Sequence, residues 1–119
     1  MQIQINTDHN IKGHEALAAQ VRGVVESALS HLSDHITRVE VHLSDESSHK
    51  TSENGKRCMM EARLEGRQPI AVTDEEATVA QAVDGAAGKL ARLIESTLGR
   101  QRVERSHRTD PPPPGSVSN

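Results

Sequence analysis

Each stretch of this chain that alternates apolar and polar residues with period two is apolar on one side only. In 36–44 (ITRVEVHLS), Val39, Val41 and Leu43 alternate with Arg38, Glu40 and His42. In 57–65, Cys58, Met60, Ala62 and Leu64 alternate with Arg57, Met59, Glu61, Arg63 and Glu65. Residues 1–6 set Ile3 and Ile5 against Gln2, Gln4 and Asn6, and residues 69–72 turn Ile70 and Val72 inward after Pro69, which suits the first position of a strand. A sheet built from such strands has one dry face and one wet face.

Two longer segments supply the cover. From His14 to Leu32, Leu17, Val21, Val24, Val25, Ala28, Leu29 and Leu32 recur at helical intervals behind a weak cap, with Arg22, Glu26 and Ser30 off that stripe. From Thr73 to Arg100 the pattern is Val79, Val83, Ala86, Ala87, Leu90, Leu93, Ile94 and Leu98. Thr73 and Glu76 have capping-box spacing, although the start can slip as late as Thr78, and Gly99 is a natural stop. The element order is β-α-β-β-β-α. A crossover helix makes the first two strands parallel, and the two following hairpins are antiparallel. Both helices pack on one face; the other, lined by Gln2, Gln4, Arg38, Glu40, His42, Arg57, Met59, Glu61 and Arg63, stays open to water. The polar run from Asp45 to Lys56 ends in Asn54-Gly55, a strong turn signal.

Composition narrows the function. With no Phe, Tyr or Trp, the core is aliphatic and the chain lacks the stacking platforms of single-stranded nucleic-acid binders. Residues 1–99 carry 10 Lys/Arg and 15 Asp/Glu, a net of −5, whereas residues 100–119 carry 4 Arg against Glu104 and Asp110, a net of +2. No basic field covers the whole domain. A single cysteine, no membrane-length apolar run and no signal-peptide pattern point to a soluble cytoplasmic domain. The stretch after Gly99 has no apolar pattern, and Pro111–Pro114 favours an extended chain. The expected division is a domain over 1–100 and a disordered Arg/Pro-rich tail over 101–119.

Few constellations carry chemistry. His31 and His35 have i, i+4 spacing, yet Ser33-Asp34 lies between them near a helix end and no third ligand stands at a recognisable distance, so no metal site is assigned. Cys58 falls on the core side of its strand and reads as packing, not as a nucleophile. No glycine-rich phosphate loop or paired-carboxylate site is legible, and no cofactor, small-molecule substrate or catalytic residue is expected. Lys89 and Arg92 lie at i, i+3 on the second helix, with Arg100 two turns beyond Arg92 and Arg22 on the first helix. Together they can form a narrow phosphate-contacting strip; solvated charge offset by Asp84, Glu95 and Glu26 is the ordinary alternative.

Three local stretches add a resemblance. The opening MQIQI with His14-Glu15-Ala16-Leu17, the run from Asp34 to Val41 (DHITRVEV), and Ala82-Val83-Asp84-Gly85 followed by Lys89-Leu90-Ala91-Arg92 resemble the ribosome hibernation-promoting factor and ribosome-associated inhibitor family. The resemblance spans about residues 1–100. It implies an α+β fold, a four-stranded mixed sheet with two helices packed on one face, similar to a double-stranded RNA-binding domain. It also implies a non-enzymatic translation inhibitor that binds small-subunit ribosomal RNA and blocks the channel used by messenger and transfer RNA. The matching positions for RNA binding are Lys89, Arg92, Arg100 and Arg22. The chain is shorter than the family's long form, so by itself it is not expected to pair ribosomes. Departures from the pattern are Thr78-Val79-Ala80 where an aromatic is usual, and Ile94–Leu98 where lysines are usual. The alternative is a diverged member that acts as a protein-interaction module through the open sheet face, where Met59 sits amid Arg57, Arg63 and His42, or through Pro111–Pro114.

Overall fold

A computed structural model describes residues 1–8, 11, 14–45 and 55–109, with side chains described for 1–8, 11, 15–45 and 55–99. Strand β1 (Gln2–Thr7) is followed by helix α1 (His14–Leu29), which tightens into a 3-10 turn over Ser30–His35. Strands β2 (Ile36–Asp45), β3 (Lys56–Leu64) and β4 (Ile70–Glu76) then lead to helix α2 (Val79–Thr109). The sheet order is β1-β2-β3-β4, with β1 parallel to β2 and the other pairs antiparallel. The fold class, the element order and each strand direction are those the alternation implies.

The register shows why one face is dry. Ile3 pairs with Val39, Val39 with Ala62, and Ala62 with Ile70; Ile5, Val41, Met60 and Val72 form the next row. The helices supply Val21, Val25, Leu29, Val83, Ala86, Leu90 and Ile94, all fully or almost fully buried. α2 lies over β3 and β4, and α1 contacts α2 and β1. Ile11, between β1 and α1 in sequence, is buried in the same core.

The ends of α2 differ from expectation. Thr73–Glu76 is strand, not helix: Glu75 pairs with Arg57 and Glu76 with Lys56, so the β3–β4 ladder continues through residues whose composition also suits a helix start. The cap is Thr78, whose Oγ1 accepts the Gln81 amide at 3.1 Å, a second capping-box spacing five residues later. At the other end the helical backbone continues through Gly99 to Thr109, so the stop expected at Gly99 is absent and the first part of the expected tail is helix. A glycine inside a helix costs about 1 kcal/mol relative to alanine, which does not compel termination. Residues 110–119, including Pro111–Pro114, and the Asn54 position of the expected turn lie outside the described residues. Leu93, placed on the apolar stripe by periodicity, is exposed.

The open face balances its charges along strands. Arg38 faces Arg63 and Glu40 faces Glu61 across β2 and β3, two like-charge pairs that would repel in isolation. Arg38 instead bonds Glu40 on its own strand at 2.9 Å and Gln4 on β1, while Arg63 lies 3.8 Å from Glu61.

Candidate nucleic-acid interface

The helical layer carries the cations singled out by the sequence, and α2 positions two of them differently. Lys89 points to β4. Its Nζ donates to Asp74 Oδ1 at 3.0 Å and to the Thr73 carbonyl at 3.1 Å. Asp74 continues the inward alternation of Ile70 and Val72 and stands opposite Cys58 in the ladder, so its carboxylate is only 10% exposed whereas the lysine is 47% exposed. Room for the carboxylate comes from α2: a Cβ at Gly85 would lie within 1.7 Å of Asp74 Oδ2. Glu76, two residues along the strand, is held above the ordinary carboxyl range chiefly by the Asp74 charge and by a hydrogen bond to it. Behind them, burial first and Asp74 second push the Cys58 thiol up to about 12.

Arg92 is exposed on α2, and its Nη1 lies 3.4 Å from the position a Cβ on Gly88 would take. At about 100° per residue, Arg92 is about 60° round the axis from Lys89, on the side turned away from the sheet. Arg22 is exposed on α1. A groove of about 530 Å³ between the helices is lined by Gln20, Val24 and Ser27 from α1 and by Asp84, Ala87 and Gly88 from α2, among others. Arg22 lies about 140–160° from those α1 residues, and Lys89 lies equally far from Asp84 and Ala87. These two cations therefore occupy opposite flanks of the layer, with Arg92 between them. Arg100 is in the α2 backbone, and its side chain is outside the described residues.

The histidine pair is separated by its contacts. His31 Nε2 lies 2.8 Å from Glu95 Oε1, tying the 3-10 turn to α2. Cys58 is fully buried, as its strand position implies.

The model of the family described as Sigma 54 modulation protein / S30EA ribosomal protein matches residues 4–102. The chain belongs to this family. No curated protein matches it significantly. Among solved structures, this S30EA-family chain is similar to the Thermus thermophilus Protein Y N-terminal domain, with a TM-score of 0.60, 24% identity, and coverage of 82% of this chain and 99% of that one. It is also similar to a ribosomal subunit interface protein from Coxiella burnetii, with a TM-score of 0.61, 19% identity, and coverage of 82% and 97%. At these identities the likeness is one of fold.

Two residues of this S30EA domain gain importance only in three dimensions. Asp74 reads in sequence as a helix-start carboxylate, although extending the Ile70–Val72 alternation by one step would have turned it inward. Arg67 reads as turn filler in Gly66-Arg67-Gln68. Among the described residues, Arg22, Arg67 and Arg92 are the arginines and lysines whose side chains have no ion pair or hydrogen bond; Arg38, Lys56, Arg57, Arg63 and Lys89 are all engaged.

Proposed function

We propose that this protein is a ribosome-associated translation inhibitor of the hibernation type, working in the cytoplasm where ribosomes are. It binds small-subunit ribosomal RNA through the outer side of its helical layer and sterically blocks the path of messenger and transfer RNA, with no bond made or broken. The observation that carries this reading is the S30EA family match across nearly the whole α+β domain. The Coxiella burnetii relative's description as a ribosomal subunit interface protein points the same way.

The chemistry suits RNA phosphates better than bases. A-form RNA presents phosphates and 2′-hydroxyls more readily than base edges, and a chain without aromatics has no platform for splayed bases. Arg92 and Arg22 supply unpaired guanidinium groups. Lys89 uses two of its three ammonium donors on Thr73 and Asp74, and the third is left for a phosphate oxygen. Arg100 follows two turns beyond Arg92 along α2.

Sedimentation with purified small subunits at low and moderate salt tests the reading. Co-sedimentation that declines with salt, and declines less steeply after Arg22→Glu with Arg92→Glu, is the expected result. A folded protein that stays in the supernatant at both salts overturns it.

A second reading is kept for one feature of the open sheet face. Met59, His42, Leu43, Ser44 and Arg57 line a depression of about 220 Å³ there, a mixed apolar and basic surface suited to a protein partner. Affinity capture that returns one protein and no ribosomal RNA favours this alternative.

A further inference from the structure

We infer that Arg67, on the turn between β3 and β4, is the centre of a second phosphate-binding site, distinct from the helical cations. The inference rests on the ribosome reading for the source of the phosphate, an RNA backbone.

The turn is built to present this side chain. Gly66 takes a φ of 71°, a left-handed conformation that reverses the chain within three residues, and the Arg67 amide closes the turn onto the Leu64 carbonyl at 3.3 Å. The backbone donor is thus used internally and the guanidinium is the group left over. Its Nη2 is buried and has no hydrogen-bond partner, so the half-buried side chain must swing outward for that N–H to meet a phosphate in the cleft. A permanently charged, desolvated N–H without an acceptor is an uncommon arrangement, because the group cannot neutralise itself by losing a proton.

The surroundings select for an anion. An open cleft of about 740 Å³ is lined by Gly66, Arg67, Gln68, Pro69, Ile70 and Thr97. No carboxylate is among these residues, in contrast to Lys89 on its Asp74. Gln68 adds an amide donor at the rim. The Thr97 hydroxyl donates its one proton to the Leu93 carbonyl at 2.9 Å, and being neutral it brings no charge to offset the arginine. A guanidinium fork matches two oxygens of one phosphodiester, a geometry that an ammonium cannot reproduce.

Its place in the fold matches a polyanion better than a small ion. Thr97 stands at the wall of the cleft just before the segment in which α2 continues to Thr109, and that segment carries Arg100, Arg102, Arg105 and Arg108 against Glu104. The helix therefore leads from the cleft into the one basic part of the sequence. A strand of RNA that meets Arg67 has further positive charge ahead of it.

The test uses the full chain, isotope-labelled, titrated with a short A-form RNA duplex and separately with inorganic phosphate at matched ionic strength. Saturable shifts of the Gly66, Arg67 side-chain and Thr97 resonances with the duplex are expected. They should vanish in Arg67→Ala and survive, weakened, in Arg67→Lys. Equal shifts with phosphate alone keep the anion site and remove RNA as its source. Resonances that ignore both ligands, or shifts that persist in Arg67→Ala, overturn the site.

A second arm measures small-subunit affinity against salt. Losing one phosphate contact lowers the salt slope by about 0.9, which is about eight-fold in affinity at 0.1 M salt. If wild type ignores the subunits while the duplex still shifts Arg67, the ribosome reading fails and the site stands. If wild type binds subunits and Arg67→Ala matches it in affinity and slope, the inference fails and the ribosome reading stands.

Discussion

Asp74 and Gly85 occupy what is nearly the same space: the carboxylate oxygen of one lies 1.7 Å from where a side-chain carbon on the other would begin. The inward carboxylate of β4 can be accommodated under α2 only because position 85 lacks a Cβ, and Lys89, one helical turn further on, compensates its charge at 3.0 Å. The three residues form one device that joins the sheet edge to the helix.

Gly85→Ala should therefore destabilise the protein even though alanine is the better helix former. The intrinsic gain is about 1 kcal/mol, against an overpacking cost of about 1–3 kcal/mol. In an Asp74→Ala background the obstruction is gone, and the same glycine replacement should become neutral or stabilising. Thermal or urea unfolding of the four-member cycle measures this. A Gly85→Ala effect that is identical in both backgrounds would show that the contact is not what sets the cost.

Much of this fold is legible because its strands are half-buried, and half-burial writes a period of two into the sequence. Val39, Val41 and Leu43, like Cys58, Met60 and Ala62, leave no alternative for the sheet's dry side. The segment Thr73–Glu76 is ambiguous for a physical reason. A threonine followed by three acids satisfies both a helix N-terminus and the end of an edge strand, and only the long-range ladder to Lys56 and Arg57 decides between them. Gly99 misleads because glycine permits a stop without enforcing one. The cations are the least legible part: i, i+3 spacing correctly sets Lys89 near Arg92 on α2, but no local pattern reports that Asp74, from another element, reaches one and not the other. Arg67 is hidden for the complementary reason, since nothing in Gly66-Arg67-Gln68 says which turn donor is satisfied.

Cys58 should be inert in the folded protein. With its thiol raised to about 12 and its side chain fully buried, almost no thiolate exists at pH 8 and none of it is accessible. Alkylation by iodoacetamide should proceed only through opening of the sheet, so its rate should rise in step with the unfolded fraction across a denaturant series. Rapid labelling in native buffer, at the rate of a model thiol, contradicts the burial of this strand.

Glu76 sets a pH dependence of definite sign. Its folded-state affinity for a proton is raised from the ordinary value of 4.5 because Asp74 repels the ionised form. A carboxyl with a raised folded-state pKa binds more protons in the native state than in the unfolded one, so stability falls as pH climbs from about 4.5 through the raised value. Above that window the repulsion acts in full; below 4.5 it is absent. Glu76→Gln should accordingly have the higher melting temperature at neutral pH, and the two curves should converge on acidification. Parallel curves from pH 4 to pH 8 would remove Asp74 as the cause.

The Asp74 carboxylate also bears on RNA binding, because it neutralises a cation that the proposed interface uses. Asp74→Asn retains the size of the side chain and its amide oxygen can still accept from Lys89, while one negative charge leaves the edge of the helical layer. If Lys89 contacts phosphate, this variant should bind small subunits several-fold more tightly than wild type at low salt, with a steeper salt slope as the ammonium becomes a full counterion-releasing contact. Adding Lys89→Ala to Asp74→Asn should abolish that gain, and Lys89→Ala alone should weaken binding several-fold at low salt, since it leaves the Asp74 carboxylate uncompensated at the edge of the layer. Salt-dependent binding of the four proteins, each checked for folding by its melting temperature, provides the comparison. Equal affinities for wild type and Asp74→Asn would restrict Lys89 to holding α2 on β4, and the interface would then lie with the arginines that no carboxylate reaches.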